Sequence, residues 1–186
     1  MKSNILVNKL VEQNIIKSEE ADIYIYGLNY FLLYFVNIII SASFAFLLNS
    51  IPIYVFVLLA FISLRRFAGG FHFNHPVICI LFSQVCLLLP QLILPNIIVS
   101  KKWLFICFIF IYCSLLFVTK KKRAVCSKKR YTNEQLIQKN TRKSLFIEIV
   151  YIFIFLILFL FHQIVFASAI LYVGLLQLLL LLIPEM

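Results

Sequence analysis

The chain has 186 residues, of which 63% are hydrophobic and 13% are charged. Soluble domains are usually about 45–50% apolar and about 25% charged, and a fold of this size has too little interior for so much apolar surface, so we expect an integral membrane protein. The net charge of +10 does not indicate nucleic-acid binding, because the basic residues stand in short patches between apolar runs, as membrane topology requires.

Residues 1–22 mix apolar and polar positions and predict an amphipathic helix with two distinct faces. Such a helix lies in the headgroup region of a membrane or packs as an ordinary helix on the rest of the protein. It lacks a continuous apolar run, so we expect no cleavable signal peptide. We therefore divide the chain into an interfacial helix at residues 1–22 and an integral membrane domain at residues 23–186.

Six apolar segments follow and predict an all-α, polytopic membrane bundle of about six membrane-embedded helices. A spanning helix needs about 20 apolar residues, within a range of about 17–25. The second segment is shorter than this range, so we expect it to be tilted, re-entrant or buried against its neighbours. We place His162 inside the fifth segment. The six segments cover about residues 23–48, 51–64, 77–99, 103–118, 145–166 and 167–183.

The distribution of basic residues predicts the orientation in the membrane. If the N-terminus is cytoplasmic and all six segments cross, only Lys101 and Lys102 of the 17 Lys and Arg residues lie outside. The opposite orientation inverts this bias. We therefore expect a multi-pass protein of the cell membrane, with both termini and residues 65–80 on the cytoplasmic side.

One long polar segment, about residues 119–143, follows the fourth apolar segment. It anchors the topology, and it is also a candidate binding surface for anionic lipid or for an acidic partner peptide. The candidate substrate-binding residues in it are Lys120, Lys121, Lys122, Arg123, Lys128, Lys129 and Arg130.

Polar residues concentrate in the stretch RRFAGGFHFNHPVICI, residues 65–80. Gly69 and Gly70 break the second helix, because glycine permits unusual backbone angles. Pro76 disfavours helix at the residue before it and suits the first turn of a new helix. The stretch therefore predicts a helix, a turn at residues 69–75 and a second helix. Ionisable residues near the membrane interior indicate a functional site.

His72 and Cys79 would lie about 10.5 Å apart along the axis of one continuous helix, which is too far for proton transfer. The predicted turn removes this obstacle, because His72 can fold back over the start of the next helix. Cys79 then lies near a helix N-terminus, where unpaired N–H groups and the helix dipole favour a thiolate. A histidine beside it accepts the thiol proton. These residues predict a cysteine nucleophile with a histidine base.

The spacing of these residues alone leaves simpler interpretations open. A buried cysteine and an interfacial histidine need not react, and His72, His75 and Cys79 together offer three ligands of the kind that zinc prefers. No carboxylate cluster supports zinc, so we expect no metal and no cofactor. Two other classes of function are a small membrane transporter or exporter of a peptide and a non-catalytic membrane scaffold. A transporter predicts intramembrane charges, and the apolar segments contain only Glu148, near one end.

The positions of Arg65, Gly70, His72 and Cys79 in RRFAGGFHFNHPVIC resemble the signature of the AgrB family, the membrane cysteine peptidases of Gram-positive peptide quorum sensing. The resemblance extends to the chain length, the amphipathic N-terminus, the opening YGLNYFLLYFVN of the first segment and the basic loop. It implies cleavage of the C-terminal part of an AgrD-like propeptide through an acyl-enzyme thioester. A cysteine or serine of the propeptide then closes a thiolactone or lactone ring. The resemblance is also compatible with a homodimer.

Carried onto this sequence, the resemblance makes Cys79 the nucleophile and His72 the general base and acid. Arg65 would orient the site or the substrate, and Gly70 would supply the turn. His75 is a second histidine close by, which is either an alternative base or a cap of the next helix.

For two further roles in the proposed reaction the sequence offers only candidate groups. The oxyanion stabiliser would be backbone N–H groups near Cys79, with Gln84 as a weaker choice because it lies a further turn along the helix. The group that orients His72 would be Asn74 or Ser83.

Overall fold

The computed structural model describes residues 2–69, 76–96, 100–122 and 134–183. In these ranges the chain forms seven α-helices, two short 3-10 turns and no strand, so the all-α prediction is confirmed. The helices are α1 (Lys2–Glu12), α2 (Ala21–Leu47), α3 (Ile51–Ala68), α4 (Pro76–Ile93), α5 (Lys101–Lys122), α6 (Glu134–Leu160) and α7 (Ile164–Leu182).

Six helices, α2 to α7, are long and apolar enough to cross a membrane, which indicates a multi-pass membrane protein. α3 extends beyond the predicted apolar segment to Ala68 and contains 18 residues. At 1.5 Å per residue it is about 27 Å long, close to the hydrocarbon thickness of about 30 Å. The second apolar segment is therefore the core of a full-length helix whose last turn is polar.

The chain forms two compact units, Met1–Ser43 and Phe44–Met186. The first unit contains α1 and most of α2. α1 ends at Glu12 rather than near residue 22, and Asn14 follows it with a φ of 55°. Asparagine tolerates this left-handed conformation better than most residues, so the end of the helix at this point has a local cause. A 3-10 turn at Ser18–Glu20 leads directly into α2.

In the second unit, contacts between α3 and its neighbours show that successive helices run in alternating directions. At one end the Lys143 Nζ atom lies 5.3 Å from the centre of the Phe67 ring. We call this the basic end, where α3 and α5 end and where α4 and α6 begin. Its described basic residues include Arg65, Arg66, Lys120, Lys121 and Lys143.

At the opposite end, which we call the turn end, two pairs of side chains meet. The Ser50 hydroxyl donates to Oε1 of Gln91 at 3.3 Å. Lys101 Nζ donates to Nδ1 of His162 at 2.6 Å, on the exposed surface. The turn end thus joins the start of α3 to α4, and the start of α5 to the connection between α6 and α7.

An apolar core of this unit lies between α5, α6 and α7. The rings of Phe108 and Phe155 stack with their centres 3.5 Å apart. Tyr112 packs directly on Gly174 of α7, where an added Cβ would lie 2.8 Å from the Tyr112 Cε2 atom. The Tyr112 hydroxyl donates to the carbonyl of Ile170 at 3.3 Å. A small residue on α7 therefore allows the close approach of α5.

The boundary between α6 and α7 differs from the prediction. We expected it between Phe166 and Ala167, with His162 inside the fifth segment, and this was wrong. His162 lies in the turn after Leu160 and has a φ of 61°. The Gln163 N–H closes the turn on the Leu158 carbonyl at 2.9 Å. The adjacent polar pair His162-Gln163 was the available signal within an otherwise apolar run.

Glu148 of α6 is completely buried near the basic end. Its Oε1 atom accepts hydrogen bonds from the Thr119 hydroxyl at 2.8 Å and from the Ser144 hydroxyl at 3.2 Å. Burial of a carboxyl group is costly unless it is hydrogen-bonded, and these two hydroxyls offset part of that cost. The cluster of Glu148, Thr119 and Ser144 therefore ties α5 to α6.

Candidate active site

The two helices that flank residues 70–75 end and begin where the sequence predicts. α3 ends at Ala68, and Gly69 follows with φ 71° and ψ −142°. The Gly69 N–H donates to the Arg65 carbonyl at 3.2 Å and closes the last turn. A positive φ favours glycine, which has no Cβ, and so the chain leaves the helix at this residue. α4 begins at Pro76, where a proline suits the first turn of a helix.

Residues 70–75 lie outside the described part of the chain, and several predicted site residues fall among them. The pairing of a histidine with the Cys79 thiol therefore stays a prediction, and the alternative of a zinc site is not tested. The residues concerned are Gly70, His72, Asn74 and His75.

Cys79 is the fourth residue of α4 and is half-buried. The first N–H groups of a helix have no acceptor within the helix. In α4 these include the N–H groups of Val77 and Ile78, one turn before the Cys79 side chain, because Pro76 has no N–H. These N–H groups and the positive end of the helix dipole favour negative charge at this point. The position therefore suits a thiolate nucleophile and backbone donors to an oxyanion.

The first turns of α4 also carry Ser83 and Gln84. The Ser83 hydroxyl donates to the carbonyl of Cys79 at 2.9 Å, so its proton is used within the helix. This hydrogen bond stabilises the helical turn that carries the Cys79 thiol. Gln84 is half-buried on the following turn. The roles proposed for these two residues, in orienting a histidine and in stabilising an oxyanion, stay predictions.

Arg65 lies in the last turn of α3 and is half-buried. Its guanidinium carbon is 5.9 Å from the centre of the Phe61 ring, one turn earlier in the same helix. Cys86 is buried two helical turns beyond Cys79 and on nearly the same face of α4. Arg65 itself lies in the turn of α3 that immediately precedes residues 69–75, and α3 packs against α4, the helix that carries Cys79.

Lys120 and Lys121 are exposed at the end of α5, at the basic end. Lys122 is the last residue of that helix. The other candidate substrate-binding residues fall within residues 123–133, outside the described part of the chain. They are Arg123, Lys128, Lys129 and Arg130.

Two further cations at the basic end share one aromatic ring. The Arg66 guanidinium carbon lies 5.6 Å from the centre of the Phe67 ring, and Lys143 of α6 approaches the same ring. Cations are attracted to the faces of aromatic rings. These contacts add to the positive surface near Lys120 and Lys121.

Gln177 makes a polar contact in this region that the sequence did not predict. It lies in α7, is completely buried, and its Nε2 atom donates to the Gly69 carbonyl at 3.1 Å. The available signal was one amide in the apolar run LLQLLLLL. The contact therefore joins α7 to the residue at which α3 ends.

The model of the AgrB family, described as accessory gene regulator B, matches residues 3–181. This chain belongs to the AgrB family. AgrB membership confirms the resemblance and supports a role in the processing of a quorum-sensing peptide, with an AgrD-like propeptide as partner. No curated protein and no solved structure is significantly similar to the chain.

Proposed function

We propose that this AgrB-family chain is a membrane-embedded cysteine endopeptidase that cleaves an AgrD-like propeptide. The observation that carries the proposal is the position of Cys79 in the first turn of α4, immediately after the segment that contains His72. Arg65 supports it, because it lies in the last turn of α3, the helix that packs against α4 and leads into the same segment. No comparable arrangement of described residues supports a transporter or a scaffold.

In the proposed reaction, Cys79 attacks the carbonyl carbon of the scissile peptide bond, and His72 accepts the thiol proton. The oxyanion that forms receives hydrogen bonds from backbone N–H groups in the first turn of α4. The C–N bond then breaks, His72 donates the proton to the leaving amine, and the N-terminal fragment stays on Cys79 as a thioester. Arg65 orients the peptide.

The second step is ring closure. A cysteine thiol or serine hydroxyl within the bound fragment attacks the thioester, and Cys79 leaves as a thiolate that regains its proton. This step exchanges the thioester on Cys79 for a thioester or an ester in the product. The acyl group is already activated as a thioester, so the step needs no ATP. Water has to be excluded while the internal nucleophile attacks. A thiol at the end of an apolar helical bundle, rather than in an open aqueous cleft, meets that need.

We assign the basic end to the cytoplasm, because the excess of Lys and Arg is expected on that side. An amphipathic propeptide would be concentrated on the same membrane surface. Lys120 and Lys121, with the basic residues that follow them, would attract an acidic part of that peptide. The homodimer that the resemblance allows stays a prediction.

The test is cleavage of an AgrD-like propeptide by the purified protein in vesicles. We expect Cys79→Ala to abolish cleavage and His72→Ala to reduce it by at least about 100-fold, as loss of a general base does. A propeptide that lacks its ring-forming Cys or Ser should accumulate as a hydroxylamine-sensitive adduct on Cys79. Cys113→Ala is the matched control, because Cys113 is exposed in the middle of α5.

Cleavage by Cys79→Ala would refute the peptidase proposal. If His75→Ala loses all activity and His72→Ala retains it, the base is His75 instead. Movement of intact propeptide across the vesicle membrane without cleavage would favour the transporter alternative.

A further inference from the structure

Gln177 is an unusual residue for its surroundings. It is completely buried in α7, a helix that is otherwise almost entirely apolar. Burying a carboxamide is unfavourable unless its donor and acceptor are hydrogen-bonded, whereas a leucine at this position would carry no such cost. The presence of an amide here therefore requires a polar partner.

The partner of the Gln177 donor is the Gly69 carbonyl, 108 residues away in the sequence and 3.1 Å from Nε2. The last carbonyl groups of a helix receive no hydrogen bond from an N–H of the same helix. The Gly69 carbonyl, at the end of α3, is one of these groups. Gly69 is itself buried, so water does not readily replace the amide. This hydrogen bond fixes the carbonyl from which the chain leaves α3.

The acceptor of the same amide is still unused. Oε1 of Gln177 is buried and has no hydrogen-bond partner in the described part of the chain. An amide oxygen accepts up to two hydrogen bonds, so Gln177 can take a further N–H donor beside Gly69. The residues that follow Gly69 are those that carry His72.

We propose that Gln177 is a positioning residue for the peptidase reaction, acting through the Gly69 carbonyl on the direction in which the chain leaves α3 towards His72. The inference rests on the proposed function. His72 comes three residues after the fixed carbonyl, so a change in the backbone at Gly69 moves the base relative to the Cys79 thiol on the separate helix α4. A misplacement of about 1 Å can lower a rate about 100-fold.

Gln91 provides a matched control. It is also a buried amide within a membrane helix, and its Nε2 atom donates to the Leu87 carbonyl of its own helix at 2.9 Å. Its Oε1 atom accepts the Ser50 hydroxyl at the turn end, far along α4 from Cys79. Gln91→Leu therefore removes a buried amide of the same kind without affecting the end of α3.

The experiment compares Gln177→Leu, Gln177→Glu and Gln91→Leu in two assays. The first is propeptide cleavage in vesicles, with kcat and KM measured separately. The second is the rate at which iodoacetamide alkylates Cys79 at neutral pH without substrate, in a background where Cys79 is the only cysteine. Alkylation reports whether His72 activates the thiol, which a role limited to helix packing would not change.

We expect Gln177→Leu to lower kcat by about 10- to 100-fold with KM changed by less than about 3-fold, and to lower the alkylation rate towards that of His72→Ala. Gln177→Glu should retain more of both rates than Gln177→Leu, because a carboxyl group buried among apolar residues is protonated and its O–H can donate to the Gly69 carbonyl. Gln91→Leu should keep both rates within about 2-fold. Thermal unfolding of each variant establishes that the compared proteins are folded.

Two results would overturn the inference. One is an alkylation rate of Gln177→Leu equal to that of the parent protein, and the other is an equal loss of kcat in Gln177→Leu and Gln91→Leu. The controls Cys79→Ala and His72→Ala separate this failure from that of the proposed function. If both controls still cleave the propeptide, the peptidase proposal itself fails, whatever Gln177 does.

Discussion

The two ends of the Phe44–Met186 unit are built in different ways. At the turn end, the connection after α2 and the connection at residues 161–163 are short and closed by backbone hydrogen bonds, as in the 2.9 Å bond from the Ser50 N–H to the Ala45 carbonyl. At the basic end the connections at residues 70–75 and 123–133 lie outside the described part of the chain, and the described helix ends are held by side chains of other helices. Gln177 holds Gly69 at the end of α3, and Glu148 holds Thr119 near the end of α5.

This difference indicates where function can depend on single residues. A short turn fixes the relative position of two helices through the backbone itself. Loss of a side-chain contact there lowers the free energy of unfolding but changes the position of the helices little. A helix end held by one distant side chain can shift when that contact is lost. We therefore expect substitutions at the basic end to change activity more than substitutions of equal chemistry at the turn end.

The largest effect should come from Gly69→Ala, which tests whether the end of α3 governs activity. Alanine is strained at φ 71° and ψ −142°, by about 1–3 kcal/mol, so the chain should leave α3 in another direction. We expect cleavage to fall by about 100-fold while the protein stays folded. The measurement is propeptide cleavage in vesicles beside thermal unfolding.

Gly27→Ala is the control for that variant, because an alanine Cβ at Gly27 of α2 would meet nothing within 4 Å. It should stabilise its helix by about 1 kcal/mol and leave cleavage unchanged. Cleavage by Gly69→Ala at the rate of Gly27→Ala would contradict the importance of the end of α3.

We expect a smaller effect, on stability, from Glu148→Ala. This substitution tests a second side-chain contact of the basic end. The substitution removes two hydrogen bonds and leaves a cavity between α5 and α6, so the free energy of unfolding should fall by about 2 kcal/mol. Glu148→Gln keeps an acceptor of the same size and should lose less than about 1 kcal/mol. Denaturation in detergent micelles measures both, and equal losses would show that the acceptor is unimportant.

The smallest effect is expected from Ser50→Ala at the turn end. It removes one buried hydrogen bond of 3.3 Å to Gln91, which is worth about 1 kcal/mol. Propeptide cleavage should stay within about 2-fold of the parent rate. A loss of cleavage comparable with that of Gly69→Ala would remove the distinction between the two ends.

The sequence predicted the helix ends that have chemical markers. Gly69 and Pro76 set the limits of α3 and α4, because one residue permits a positive φ and the other suits a helix start. The turn at residues 161–163 contains neither glycine nor proline, so the polar pair His162-Gln163 is its only marker within an apolar run. Hydrophobic patterns report which segments are buried in lipid or protein, and not where a helix stops within them.

The candidate site was predictable in part for the same reason. The position of Cys79 in the first turn of α4 follows from local signals, whereas the contact of Gln177 with Gly69 joins residues that are far apart in the chain. A single sequence gives no information on such a pairing. The arrangement of His72 with Cys79, on which the mechanism depends, stays a prediction.

The length of α3 has a consequence for the surroundings in which the protein works. A helix of about 27 Å is slightly shorter than a typical hydrocarbon layer, and such a mismatch is met by local thinning of the lipid or by movement of the helix ends, at a fraction of a kcal/mol per ångström. Because Gly69 directly follows that helix, we expect a thicker hydrocarbon layer to displace the carbonyl that Gln177 holds. We therefore expect acyl-chain length to influence the geometry of the proposed active site, alongside the residues themselves.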